Sequence, residues 1–129
     1  MSTLRTNALE GVDAKNSITI VAGAGNITTT NVQEGLAKVW VQFDGQASGA
    51  ASRDSFNVGS MTDGGTGNYT VNFSNNMSND DYASAGIGNT QAITSEAVTT
   101  STINLLSANA SGSQSDVTIM ATSILGDLA

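Results

Sequence analysis

Residues 36–73 read LAKVWVQFDGQASGAASRDSFNVGSMTDGGTGNYTVNF, and their periodicity decides the fold class. In Ala37-Lys38-Val39-Trp40-Val41-Gln42-Phe43, the residues Ala37, Val39, Val41 and Phe43 alternate onto one face. Lys38, Trp40 and Gln42 take the other, which is the period of a half-buried strand. A loop of small residues, 44–52, follows. Residues 55–62 and 68–73 then face each other across Asp63-Gly64-Gly65-Thr66-Gly67, a polar connection rich in glycine able to take positive φ. Tyr69, Val71 and Phe73 alternate with Thr70 and Asn72. The stretch holds the single Trp, all three Phe and one of the two Tyr, so it is the aromatic nucleus of a β-domain.

The same residues carry a resemblance. AKVWVQFDG, RDSFNVGSMTDGGTGNYTVNF and MSNDDYASAG, across roughly residues 30–88, resemble a module recurring in fibre proteins of tailed bacteriophages, notably marine ones. The C-terminal strands match that module in character only. The resemblance implies a virion surface protein, a homotrimer without enzymatic activity, attached through its N-terminal region to other virion proteins. It says little about a receptor.

Outward from this stretch, the strands thin. Residues 1–17 scatter Leu4, Leu9 and Val12 among polar residues with no sustained period, which fits either a frayed terminus or an extended arm that docks on a neighbour. Ser17-Ile18-Thr19-Ile20-Val21-Ala22 is a short strand stopped by Gly23-Ala24-Gly25-Asn26. That glycine run lacks the Lys of a phosphate loop and the third glycine of a dinucleotide fingerprint, so it reads as a turn. Asn31-Val32-Gln33-Glu34 has capping-box spacing. The helical turn it starts either packs around a threefold axis or closes one end of a sandwich. Residues 1–35 thus form an N-terminal arm with a short strand and helical turn, and residues 36–129 the β-domain.

Beyond Tyr82, Tyr82-Ala83-Ser84-Ala85-Gly86-Ile87-Gly88 is rich in small residues and suits a closely packed strand. Residues 99–108 place Ile103 and Leu105 on one face, and 107–113 make a flexible turn. Residues 116–125 put Val117, Ile119 and Ala121 on one side, with Met120 and Ile124 on the other. Apolar residues on both faces indicate a central strand, or one covered by a neighbouring chain. The expected fold is all-β, an antiparallel, jelly-roll-like β-sandwich that assembles as a homotrimer. Few large apolar side chains serve the 129 residues to be ordered, which points the same way, to further burial between subunits.

Composition narrows the chemistry. There is no His and no Cys, so Ser–His–Asp and Cys–His pairs, disulfides and His-ligated zinc are excluded. Four cations against eleven carboxylates give a net charge of −7, which opposes nucleic-acid binding through phosphate neutralisation. No apolar run spans a membrane and no signal peptide is read at the N-terminus, so the expected site is the virion, after synthesis in the host cytoplasm. Ser, Thr and Asn make up roughly a third of the residues, as in β proteins displayed on surfaces.

The remaining candidates are few. Asp63-Gly64-Gly65-Thr66-Gly67-Asn68 and Asn79-Asp80-Asp81 offer hard oxygen ligands but miss the EF-hand spacing, and are expected to serve as turns rather than metal sites. Asp44, Asp54, Asp63, Asp80 and Asp81 sit in turn-like contexts, not in a carboxylate pair flanking a cleft. No catalytic, cofactor or metal residue is assigned. Arg53-Asp54 reads as a charge pair at the start of a strand, with an inter-subunit pair for Arg53 as the second reading. Trp40, Tyr69 and Tyr82 are packing residues first and sugar-stacking platforms second. The function expected is a structural virion protein, a short fibre or a tail or collar appendage, touching the host surface through residues 44–52 or 107–112. A capsid-decorating protein and a carbohydrate-binding β-module are the alternatives.

Overall fold

In the computed structural model the described residues are 5–9, 18–21 and 29–129. The chain divides into two compact units, Met1–Leu36 and Ala37–Ala129. In the first, β1 (Thr19–Val21) pairs antiparallel with β2 (Thr29–Asn31), and the four-residue α1 (Val32–Gly35) follows at once. The Val32 N–H donates to the Ile18 carbonyl at 2.9 Å. Most of the expected arm, the turn at Gly23-Ala24-Gly25-Asn26 and the side chains of the Asn31/Glu34 capping box lie outside the described residues.

The second unit is all-β. Its strands are β3 (Ala37–Asp44), β4 (Ala51–Phe56), β5 (Val58–Gly65), β6 (Asn68–Phe73), β7 (Ala83–Gly88), β8 (Ala92–Val98), β9 (Thr102–Ala108) and β10 (Met120–Leu125). They form two antiparallel four-stranded sheets, ordered β4-β3-β10-β7 and β5-β6-β9-β8. Val39, Val41, Phe43, Met120 and Ile124 from the first sheet pack against Tyr69, Val71, Phe73, Ile103 and Leu105 from the second. The two sheets thus close a sandwich core, with the Phe43 and Tyr69 rings meeting edge to face at 5.1 Å. β10 is central in its sheet, between β3 and β7, with Met120 and Ile124 in the core and Leu125 exposed.

Several boundaries differ from the sequence reading, each for a local reason. Ser55 and Phe56 do not belong to the hairpin arm. They end β4 in the first sheet, and the chain passes to the second sheet through the single residue Asn57 at φ 58°. Asn tolerates this left-handed conformation. Here its amide donates to the Lys38 and Asn75 carbonyls, both at 3.1 Å, and its Oδ1 accepts from the Asn75 backbone N–H at 2.8 Å. The β5–β6 connection is shorter than expected, since Asp63↔Tyr69 and Gly65↔Asn68 are already paired.

Facing is also revised at three places. A register shift between Ile124 and Leu125 pairs Leu125 with Ala37, so Lys38 and Val39 are both buried and Ala37 is exposed. Strict alternation had put Lys38 outside and Ala37 inside. Val117 is buried whereas Ile119 is exposed, because regular alternation begins only near β10. β8, AITSEAV, was not anticipated: its exposed, polar-rich pattern carries no strong period-2 signal.

One end of the sandwich is tied by a polar cluster. The buried Tyr69 hydroxyl lies 2.6 Å from Asp116 Oδ1, to which it donates, and 3.0 Å from the Gly45 carbonyl. Asp116 Oδ1 also accepts the Gly67 N–H at 2.7 Å. Gly67 sits at φ 66°, and a Cβ there would stand 2.6 Å from the Ser107 carbonyl, so only glycine fits. The Tyr69 hydrogen bond, and then that from Gly67, hold the Asp116 carboxyl below its ordinary value. Desolvation first, then Asp116, push the Tyr69 phenol up.

Tyr69→Phe is expected to cost about 1–3 kcal/mol, read from urea unfolding midpoints. A carboxyl whose folded pKa is depressed adds stability that is complete above the unfolded value, about 4, and is lost as pH falls through the folded value. Asp44, lowered chiefly by its hydrogen bond from Arg53, acts in the same direction. The melting temperature should therefore drop as pH falls below about 4, and drop less in Tyr69→Phe, where Asp116 keeps only the Gly67 bond.

Candidate interaction face

With the core taking the inward residues of β3, β7 and β10, the outward residues follow from the pairing. Trp40 lies opposite Phe56 on β4 and Ser123 on β10, and Ser123 lies opposite Ala85 on β7. The next row is Asp54, Gln42, Ala121 and Ile87. Past the bulge, Ala37, Leu125 and Ala83 form a third. Ile119, just ahead of β10, accepts the Asn89 backbone N–H on its carbonyl and donates its own N–H to Asn89 Oδ1, and it continues the face at the other end. Trp40 is 37% exposed, Phe56 51% and Ile87 72%. Together with Ile119 and Leu125 they account for all the exposed large hydrophobics among the described residues except Leu9 and Leu36.

The other sheet presents the opposite chemistry. Its outward rows are Ser60, Asn72 and Thr102, then Thr62, Thr70 and Asn104, then Asn68, Leu106 and Thr94. These side chains satisfy one another: Asn104 Nδ2 donates to Asn68 Oδ1 at 2.7 Å and to Thr70 Oγ1 at 3.2 Å, and Asn72 Nδ2 to Thr62 Oγ1 at 3.1 Å. Such a ladder suits water. An outer sheet face built from Trp, Phe, Ile and Leu does not, and clustered exposed apolar surface marks contact with another molecule.

The apolar face is not flat. A shallow open groove crosses β3, β10 and β7, with Trp40 on one side, Ile87 on the other, and Ala85, Ala121 and Ser123 between them. The small residues on β7 and β10 make it: an Ala or Ser row between two bulky side chains leaves a trough one side chain deep. Gly86, facing the core, lets Ile93 of the opposite sheet come close, since a Cβ there would meet Ile93 Cγ2 at 2.8 Å.

The remaining candidates resolve into local roles. Arg53 pairs with Asp44 at 2.7 Å rather than with Asp54, at the register shift where it is the extra residue of β4 between the Gln42↔Asp54 and Phe43↔Ser52 pairs. Asp54 Oδ1 accepts the Ser55 N–H. Asp63 and Asn79 close turns on the Gly65 and Asp81 N–H groups, at 2.9 and 3.0 Å. Among the described residues no group of three or more acidic side chains is placed to hold a metal ion. Tyr69 is buried. The half-buried Tyr82 hydroxyl stands 3.0 Å from the Thr99 and Thr102 carbonyls, with its pKa pushed up to about 12 by desolvation. Neither Tyr is a free platform. Trp40 is, and Phe56 stands beside it, a pairing the sequence hid because the two lie on different strands.

No family model, curated protein or solved structure matches the chain. No helix among the described residues is long and apolar enough to cross a membrane.

Ile87→Lys replaces an exposed side chain on this face. Its unfolding midpoint should stay within about 0.5 kcal/mol of the parent, while binding of an apolar dye such as ANS falls.

Proposed function

We propose that the chain is a structural, non-catalytic protein of a tailed-bacteriophage particle. It is a short homotrimeric fibre, or a tail or collar appendage, built on a jelly-roll-like sandwich. The observation that supports this best is the contrast between the two outer sheet faces. One carries an Asn/Thr ladder suited to solvent, and the other carries Trp40, Phe56, Ile87, Ile119 and Leu125. A domain that works alone gains nothing from the second face, whereas a subunit buries it. The N-terminal region attaches the trimer to other virion proteins, and residues 44–52 or 107–112 are the loops offered to the host surface. The resemblance of residues 30–88 to phage fibre modules gives the setting.

A second reading, a carbohydrate-binding module, is favoured by one observation: Trp40 and Phe56 stand exposed and adjacent, as a sugar-stacking pair would. Sedimentation velocity of the full chain at tens of micromolar tests the first reading. A species of three 13.0 kDa chains supports it, and a folded monomer overturns it. Glycan-array binding that disappears in Trp40→Ala, with folding intact, would install the second reading in its place.

A further inference from the structure

We infer that the groove of the first sheet receives the Trp40/Phe56 ridge of another copy of this chain. This rests on the self-association in the function proposed above and specifies the contact that carries it. The ridge and the groove lie side by side on one face, the ridge on β3 and β4 and the groove over β10 and β7. A bulky ridge beside a trough floored by Ala85, Ala121 and Ser123 is complementary head to tail, so around a threefold axis the ridge of each copy enters the trough of the next. Large aromatic anchors filling pockets floored by small residues are how interfaces concentrate their binding energy.

Charge selects the same occupant. The chain carries −7, so two copies repel over most of their surface. On this face the charged side chains, Asp54 and the Asp44–Arg53 pair, are confined to the β3–β4 edge, and the stretch between Trp40 and Ile87 carries none, so it is here that like-charged copies can meet. A polyanion is repelled by the rest of the chain. A glycan finds Gln42, Ser123 and the Trp40 indole N–H as outward polar groups, the Thr122 hydroxyl being engaged by the Ala85 carbonyl, and no charged side chain to orient its hydroxyls. Area fits as well. Four strands about 4.8 Å apart and six residues rising about 3.3 Å each give a footprint on the order of 400 Å², and protruding side chains raise the accessible area further. A standard interface takes about 800 Å² per partner, so this face supplies the apolar centre and neighbouring loops the rim.

Trp40 is the only tryptophan and the chain has no cysteine, so two clean probes are available. The full chain is followed by sedimentation and by Trp40 emission, and Ser123→Cys is compared with Thr94→Cys on the opposite sheet for reaction with a polar maleimide. The expected result is assembly with blue-shifted emission that moves red on dilution, and loss of Ser123→Cys labelling while Thr94→Cys reacts freely. Ala85→Arg, which fills the groove with a charge, should weaken assembly by about a hundredfold with its unfolding midpoint little changed. If the chain assembles while Trp40 emits as in water and Ser123→Cys labels as fast as Thr94→Cys, this contact is wrong and self-association stands on another surface. A folded monomer at tens of micromolar overturns both. Binding of a glycan that shifts Trp40 emission in such a monomer gives the face to that ligand instead.

Discussion

The hydroxyl of Tyr69 is the point on which the sandwich turns. Its ring packs edge to face on Phe43 of the other sheet, while its oxygen is held by Asp116 and the Gly45 carbonyl. Three connections therefore meet through two bonded atoms, the Tyr69 hydroxyl and Asp116 Oδ1: the β3–β4 loop, the β5–β6 turn through Gly67, and the approach to β10. A buried phenol left without these partners would be costly, so the three loops cannot move apart independently. The β10 strand, threaded between β3 and β7 from the far end of the chain, is positioned by the same anchor.

Placing β10 at the centre determines what the first sheet shows to the outside. Met120, Thr122 and Ile124 turn inward, which leaves Ala121, Ser123 and Leu125 on the outer surface between Trp40 and Ile87. Sheet pleating does not allow one side to be chosen without the other. The groove is thus a consequence of which small residues β10 and β7 carry outward, and the bulge at Leu125 and Ala37 ends it by burying Lys38. The opposite sheet meets the same geometric demand mostly with Ser, Asn and Thr, several of which hydrogen-bond to one another, and Leu106 is the one large apolar residue in its paired outward rows.

Much of this was legible one strand at a time. The alternation of Val39, Val41 and Phe43, of Tyr69, Val71 and Phe73, and of Ile103 and Leu105 named the core correctly, because burial imposes a period of two on each strand. The same period sets Trp40 on the Gln42 face, opposite Val39, Val41 and Phe43. The errors fall where that period breaks. A bulge inverted Ala37 and Lys38, a one-residue corner at Asn57 split what looked like a single hairpin arm, and β8 offered no apolar alternation to read.

The amino-acid sequence by itself determined the all-β class, most of the core, and the absence of His, Cys and Pro that narrows the chemistry. Only the tertiary structure decided which outward residues become neighbours. Phe56, Trp40, Ser123 and Ala85 are spread over four strands and more than eighty positions of sequence, and nothing local marks them as one row. Which strand pairs with which is set by long-range packing and register, and the apolar face exists only after that pairing is made.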